Sequence, residues 1–117
     1  MQHHNKNRTF GRTRRGRTAL LRGLAVSLIE KGQIKTTEAK AKELRPYIER
    51  LVTAGKANTI ASRRIVASRL GEPKDVIIKK LFDEISKNYK DRNGGYTRVI
   101  KMGRTEAGRD EAVIEFV

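Results

Sequence analysis

Side chains able to make or break bonds are few in this sequence and poorly placed to do so. The two imidazoles, His3 and His4, are adjacent and near the chain start. Consecutive residues do not share a helical face, and no cysteine or further histidine can complete a metal site. As residues of a polar segment they can donate hydrogen bonds. Ser27, Ser62, Ser68 and Ser86 all fall in stretches with helical patterning, and the body offers no histidine to activate them. Asp110 and Glu111 are neighbours in a loop, a poor start for an acid/base pair. Neither a GxxxxGK[ST] nor a GxGxxG phosphate loop occurs. The expectation is a protein that is not an enzyme, with no catalytic residue, no metal and no cofactor.

The chemistry the sequence does offer is charge. The 117 residues carry 27 Lys and Arg against 13 Asp and Glu, a formal net charge of +14. Self-repulsion of that size opposes folding, so it implies a polyanionic partner. Half of it lies in the first quarter of the chain. Lys6, Arg8, Arg12, Arg14, Arg15, Arg17 and Arg22 precede the first acid, Glu30. Arginine forks onto phosphate oxygens and stacks on bases, which a merely solubilising tail would not need. Up to Arg17 the apolar side chains are Met1 and Phe10, too few to offset chain entropy. Residues 1–17 therefore read as an extended basic arm that orders on a partner, and residues 18–117 as a single globular domain.

A second stretch, "DRNGGYTR" from Asp91 to Arg98, offers Arg92, Asn93 and Arg98 around two glycines. Such glycines permit a tight turn with outward N–H groups, an anion-binding arrangement. Two roles are open to Tyr96, stacking on a base or joining the core. Arg63, Arg64 and Arg69 read either as a further phosphate-facing patch or as a solvated helix face, the commoner arrangement. RNA leads the polyanions. The cations precede a helix rather than line one, and there is no tryptophan, which disfavours a membrane surface. A glycine-punctuated arm suits irregular RNA backbones, although charge alone does not separate RNA from DNA.

The elements positioning these residues are legible in outline. Leu21, Leu24, Ala25 and Leu28 keep helical spacing after Thr18, a plausible N-cap, and Gly32 is a plausible stop. A short strand around Ile34 follows. Thr37 then caps a second helix with the stripe Ala41, Leu44, Ile48, Leu51 and Val52, kinked by Pro46 and ended by Gly55. Thr59–Leu70 is a third helix with Ala61, Ile65, Val66 and Leu70 as its stripe. Pro73 opens a fourth, burying Ile78, Leu81, Phe82, Ile85 and Tyr89, with Asp75–Lys79 and Asp83–Lys87 as surface pairs. Tyr96–Met102 and Ala112–Val117 read as antiparallel strands around a polar loop. The sum is an α+β domain with a three-stranded sheet, and the absence of a long apolar run and of a secretory signal makes the cytosol the default location.

The stretch "IKTTEAKAKELRPYIERLVTAGK", Ile34 to Lys56, resembles a signature of the bacterial and organellar large-subunit ribosomal protein L-seventeen family. "YKDRNGGYTRVIKMG" resembles its second signature, "GRTRRGRTALLRGLAVSLIEKGQI" its basic arm and first helix, and "AVIEFV" its last strand. The resemblance implies an α-β-α-α-α-β-β order, with a small mixed sheet covered by helices. It further implies a non-catalytic constituent of the cytoplasmic ribosome that binds large-subunit ribosomal RNA beside other ribosomal proteins near the nascent-chain tunnel exit. RNA contact is carried onto the arm cations and, secondarily, onto Arg92, Asn93, Tyr96 and Arg98. The rival expectation is a free nucleic-acid-binding regulatory protein.

Overall fold

The structure, a computed structural model, describes residues 14–117. Helix α1 (Arg14–Lys31) leads through Gly32 into strand β1 (Gln33–Thr37). Helices α2 (Glu38–Ala57) and α3 (Ile60–Arg69) follow. The fourth helical segment, α4, covers residues 75–88: an α-turn Asp75–Lys79, a π-helical stretch Lys80–Ile85 and a last turn Ser86–Asn88. Strands β2 (Thr97–Arg104) and β3 (Asp110–Phe116) complete the order.

The first helix begins earlier than its apolar pattern indicates. Arg14–Arg17 are helical, so the extended arm expected over 1–17 does not include them. Thr18 is not the N-cap. It lies one turn inside, where its hydroxyl donates to the Arg14 carbonyl at 3.0 Å, the back-bond open to threonine within a helix. The far end matches its signal: Gly32 has φ +82° and donates to the Leu28 carbonyl at 2.7 Å.

Caps set the next two helices. Thr37 accepts from Lys40 N–H, and Thr59 and Ser62 form a reciprocal capping box. Pro46 lies inside α2 without ending it. Gly55 does not end it either; the helix runs on to Asn58, whose φ of 47° turns the chain. Gly55 is instead a crossing point, since a Cβ there would collide with Ser86 Oγ. Ser86 closes the crossing by donating to the Val52 carbonyl at 3.0 Å. Pro73 precedes α4 rather than opening it, and Lys74 is the residue before its first turn. Asp83 turns away from the expected Lys87 pair and accepts from Arg63 at 3.0 Å. The wider π turn around it changes the i, i+4 geometry on which that pair depends.

The sheet has the order β1-β3-β2 and is wholly antiparallel, not mixed. The tight connection after β2 forces β3 to reverse. β1 runs in the direction of β2, but β3 lies between them, so no parallel neighbours meet. Ile34, Ile114 and Val99 sit in register across the three strands. Ile34 and Val99 are half-buried and Ile114 fully buried, facing the helices. The register slips at Met102, where Gly103 takes φ +91°, as a bulge requires. On the other side of the core, the α2 stripe Ala41, Leu44, Ile48, Leu51 and Val52 is buried throughout.

Candidate nucleic-acid interface

α1 has two unlike halves. Ala25, Leu28 and Ile29 are its buried residues, all in the C-terminal half. Arg14 and Arg15 are exposed and Arg17 is half-exposed, in the first turn, which holds no acid. The partial positive charge of a helix N-terminus adds to theirs. Cations at a helix N-terminus oppose its dipole, and an anion there is favoured. Lys6, Arg8, Arg12 and the two histidines lie outside the described residues.

Arg22, two turns on, has a different role. Its Nε donates to the Arg69 carbonyl at 3.0 Å and its Nη2 to the Ser68 carbonyl at 3.4 Å. It thus supplies donors to the open carbonyl end of α3. Gly71, at φ +76°, lets the Arg22 stem pass: a Cβ would lie 3.2 Å from Arg22 Cδ. Tyr47 donates to the same Arg69 carbonyl. Burial pushes the Tyr47 phenol above its ordinary pKa, against the opposing pull of Arg22.

The "DRNGGYTR" stretch is held from beneath. Gly94 and Gly95 take φ +88° and +65°. The N–H groups that such a turn presents meet an anion of this chain: Glu49 on α2. Its carboxylate accepts from Gly95 N–H at 3.3 Å, Thr97 N–H at 3.3 Å and Thr97 Oγ1 at 2.9 Å. Arg45 Nε adds a fourth bond at 3.4 Å. The turn's expected phosphate cradle is therefore filled from within.

Tyr96 is a core residue, only 1% exposed, and cannot offer a face to a base. Its ring lies 5.2 Å from that of Tyr89, and its hydroxyl meets Thr53 Oγ1 at 3.2 Å and Lys56 Nζ at 3.1 Å. Burial pushes the Tyr96 phenol up, but the bonds from Thr53 and Lys56 outweigh it and leave the group below its ordinary pKa. Arg92 and Asn93 are exposed. Arg92 donates to the Gly95 carbonyl at 3.3 Å and lies over the Tyr89 ring. Arg98, also exposed, lies 3.5 Å from Glu115. Arg63 is tied to Asn58 and Asp83 and packs on the Phe82 ring, which leaves α3 without a contiguous free arginine patch.

The structure thus separates the candidate residues. Arg14, Arg15 and Arg17 share one positive helix end. Arg92, Asn93 and Arg98 are exposed on a different turn and strand, and Arg22 and Tyr96 serve the fold. Glu49 was not among the sequence candidates. Its spacing from Arg45 announces a helical surface pair, and nothing local announces the turn it holds. Among the described residues no helix is long and apolar enough to cross a membrane.

Comparison with known proteins identifies the family of the chain. The family described as ribosomal protein L17 matches residues 20–117. The chain is 50% identical to the large ribosomal subunit protein bL17 of Sphingopyxis alaskensis, over 100% of this chain and 84% of that protein. It is 50% identical to the protein of the same name in Thermodesulfovibrio yellowstonii, over 100% of this chain and 87% of the other. For the Persephonella marina protein the identity is 46%, over 100% and 95%. A match running from the first helix through the last strand, with relatives aligned over the whole chain, establishes that the chain belongs to the ribosomal protein L17 family.

Proposed function

We propose that this chain is a structural, non-enzymatic constituent of the large ribosomal subunit, bound to ribosomal RNA through the N-terminal end of α1 and the cations that precede it. The observation that carries the reading is the first turn of α1: three arginines on a positive helix end, in a turn that itself holds no acid. Family membership supplies the ribosomal context. Lys6, Arg8 and Arg12 within residues 1–13 add RNA-binding charge to that turn. Arg92, Asn93 and Arg98 form a lesser contact through their side chains. The protein works in the cytoplasm on the ribosome, beside other large-subunit proteins near the exit of the nascent-chain tunnel.

The test is sedimentation of cell extract through a sucrose gradient at high magnesium. Stoichiometric presence with the large subunit supports the reading, and presence mainly in free fractions replaces it with a free nucleic-acid-binding regulator. Removing residues 1–13 is expected to lower affinity for ribosomal RNA strongly while the body stays folded. Unchanged RNA affinity after that truncation removes the arm from the proposal.

A further inference from the structure

An apolar groove of about 720 Å³ runs between α1 and the start of α4. Val26, Leu70, Pro73, Val76 and Ile77 wall it, and Val76 is 65% exposed. Its edge carries Arg22, Lys74 and Lys80 against the single acid Glu30. Two of these cations are fixed in place: Arg22 by the α3 carbonyls, and Lys80 by the Glu30 carbonyl at 2.6 Å.

Gly23 lies in the same groove. It is an exposed glycine inside a helix, at a position where alanine is the more stable choice. Among the described residues, a Cβ at Gly23 would meet nothing within 4 Å beyond its chain neighbours and its own helix backbone. Nothing among the described residues calls for glycine there, whereas a partner backbone resting against α1 would. The walls are aliphatic and offer no ring on which a base could stack. They suit aliphatic side chains from a protein segment, and the edge charge suits carboxylates flanking them.

We propose that this groove is the docking site for an acidic, amphipathic segment of a neighbouring protein in the large subunit. The proposal rests on the ribosomal reading above and assigns a surface to it. The segment inserts apolar side chains beside Val26, Val76 and Ile77, sets its backbone against Gly23, and turns its acids toward Lys74 and the fixed cations.

The test places a photoreactive benzoylphenylalanine at Val76 of the full chain, isolates large subunits by sedimentation and irradiates them. The expected result is an adduct with one large-subunit protein, mapping to a peptide bearing both apolar and acidic residues. That adduct disappears in Lys74→Glu and in Gly23→Phe, with thermal melting confirming that both variants are folded. An adduct with ribosomal RNA, an adduct with a second copy, no adduct, or one indifferent to Lys74→Glu overturns the docking proposal while the chain still sediments with the subunit. Failure of the unlabelled chain to sediment with the subunit overturns the ribosomal reading itself, and the docking proposal with it.

Discussion

α1 and α2 are the two longest helices, and they are built on opposite plans. α2 has an N-cap, an acid in its first turn, a base in its last and a buried stripe along its length. Its Glu38 reaches Lys42 at 2.8 Å and its Glu49 holds a distant turn. α1 has arginines where acids belong and no fully buried residue in its first half. The same contrast recurs in their glycines. Gly55 of α2 is required by Ser86 of this chain, whereas a Cβ at Gly23 of α1 would meet no other described element. α2 is therefore optimised for the folded state, whereas the first turn of α1 sets cations against its own helix dipole.

The contrast is broken most severely at the arginines. Replacing Arg14, Arg15 and Arg17 with Gln should weaken binding to a ribosomal RNA fragment by about tenfold per arginine, the low end for a charge-assisted hydrogen bond. The salt slope should shrink by about 1 for each phosphate no longer neutralised. With Arg14 and Arg15 alone replaced, the isolated protein should melt no lower, because the changes relieve repulsion at a helix N-terminus. A fall in melting temperature with unchanged affinity would assign these residues to the fold instead.

The α2 side of the comparison is tested by stability. Gly55→Val should destabilise the protein by about 1–3 kcal/mol in chemical denaturation, the usual cost of overpacking. Glu49→Ala leaves the buried Thr97 hydroxyl and N–H without their acceptor and should cost about 1–3 kcal/mol. Its first effect on hydrogen exchange should appear at residues 94–97. Gly23→Ala should do the reverse and stabilise the isolated protein by about 0.4–1 kcal/mol, since helical backbone there is unstrained.

The smallest effect is at Glu38. The Lys42 hydrogen bond holds its carboxyl below the ordinary value of 4.5, helped by the Lys42 and Lys101 charges. A group with a depressed folded pKa contributes stability above its unfolded pKa and loses it as the pH falls through the folded value. NMR titration should find the Glu38 midpoint below 4.5 in the wild type and raised in Lys42→Met.

What was legible in the sequence was local. Gly32, Thr37 and Thr59 announced helix limits because capping involves residues three or four apart. The α2 stripe was visible because one face is buried along the whole helix. Tertiary contacts set what was missed. Gly55 has the look of a helix stop, yet its role is set by Ser86, thirty-one residues on. The "NGG" turn has the look of an anion cradle, and Glu49 from another element already fills it. Tyr96 was undecidable because its neighbours Thr53, Lys56 and Tyr89 come from elsewhere in the chain. Thr18 misled because back-bonding and capping use the same hydroxyl.

The placement of β3 has a kinetic consequence. The strand at the centre of the sheet is the last element in the chain order, and β1 must wait for it while α2, α3, α4 and β2 are made. Helices α1 to α3 can form and pack from local contacts, but the sheet closes only when residues 110–116 arrive, a long-range step that is slow in folding. During synthesis the cationic first turn of α1 therefore emerges well before the keystone strand of the body.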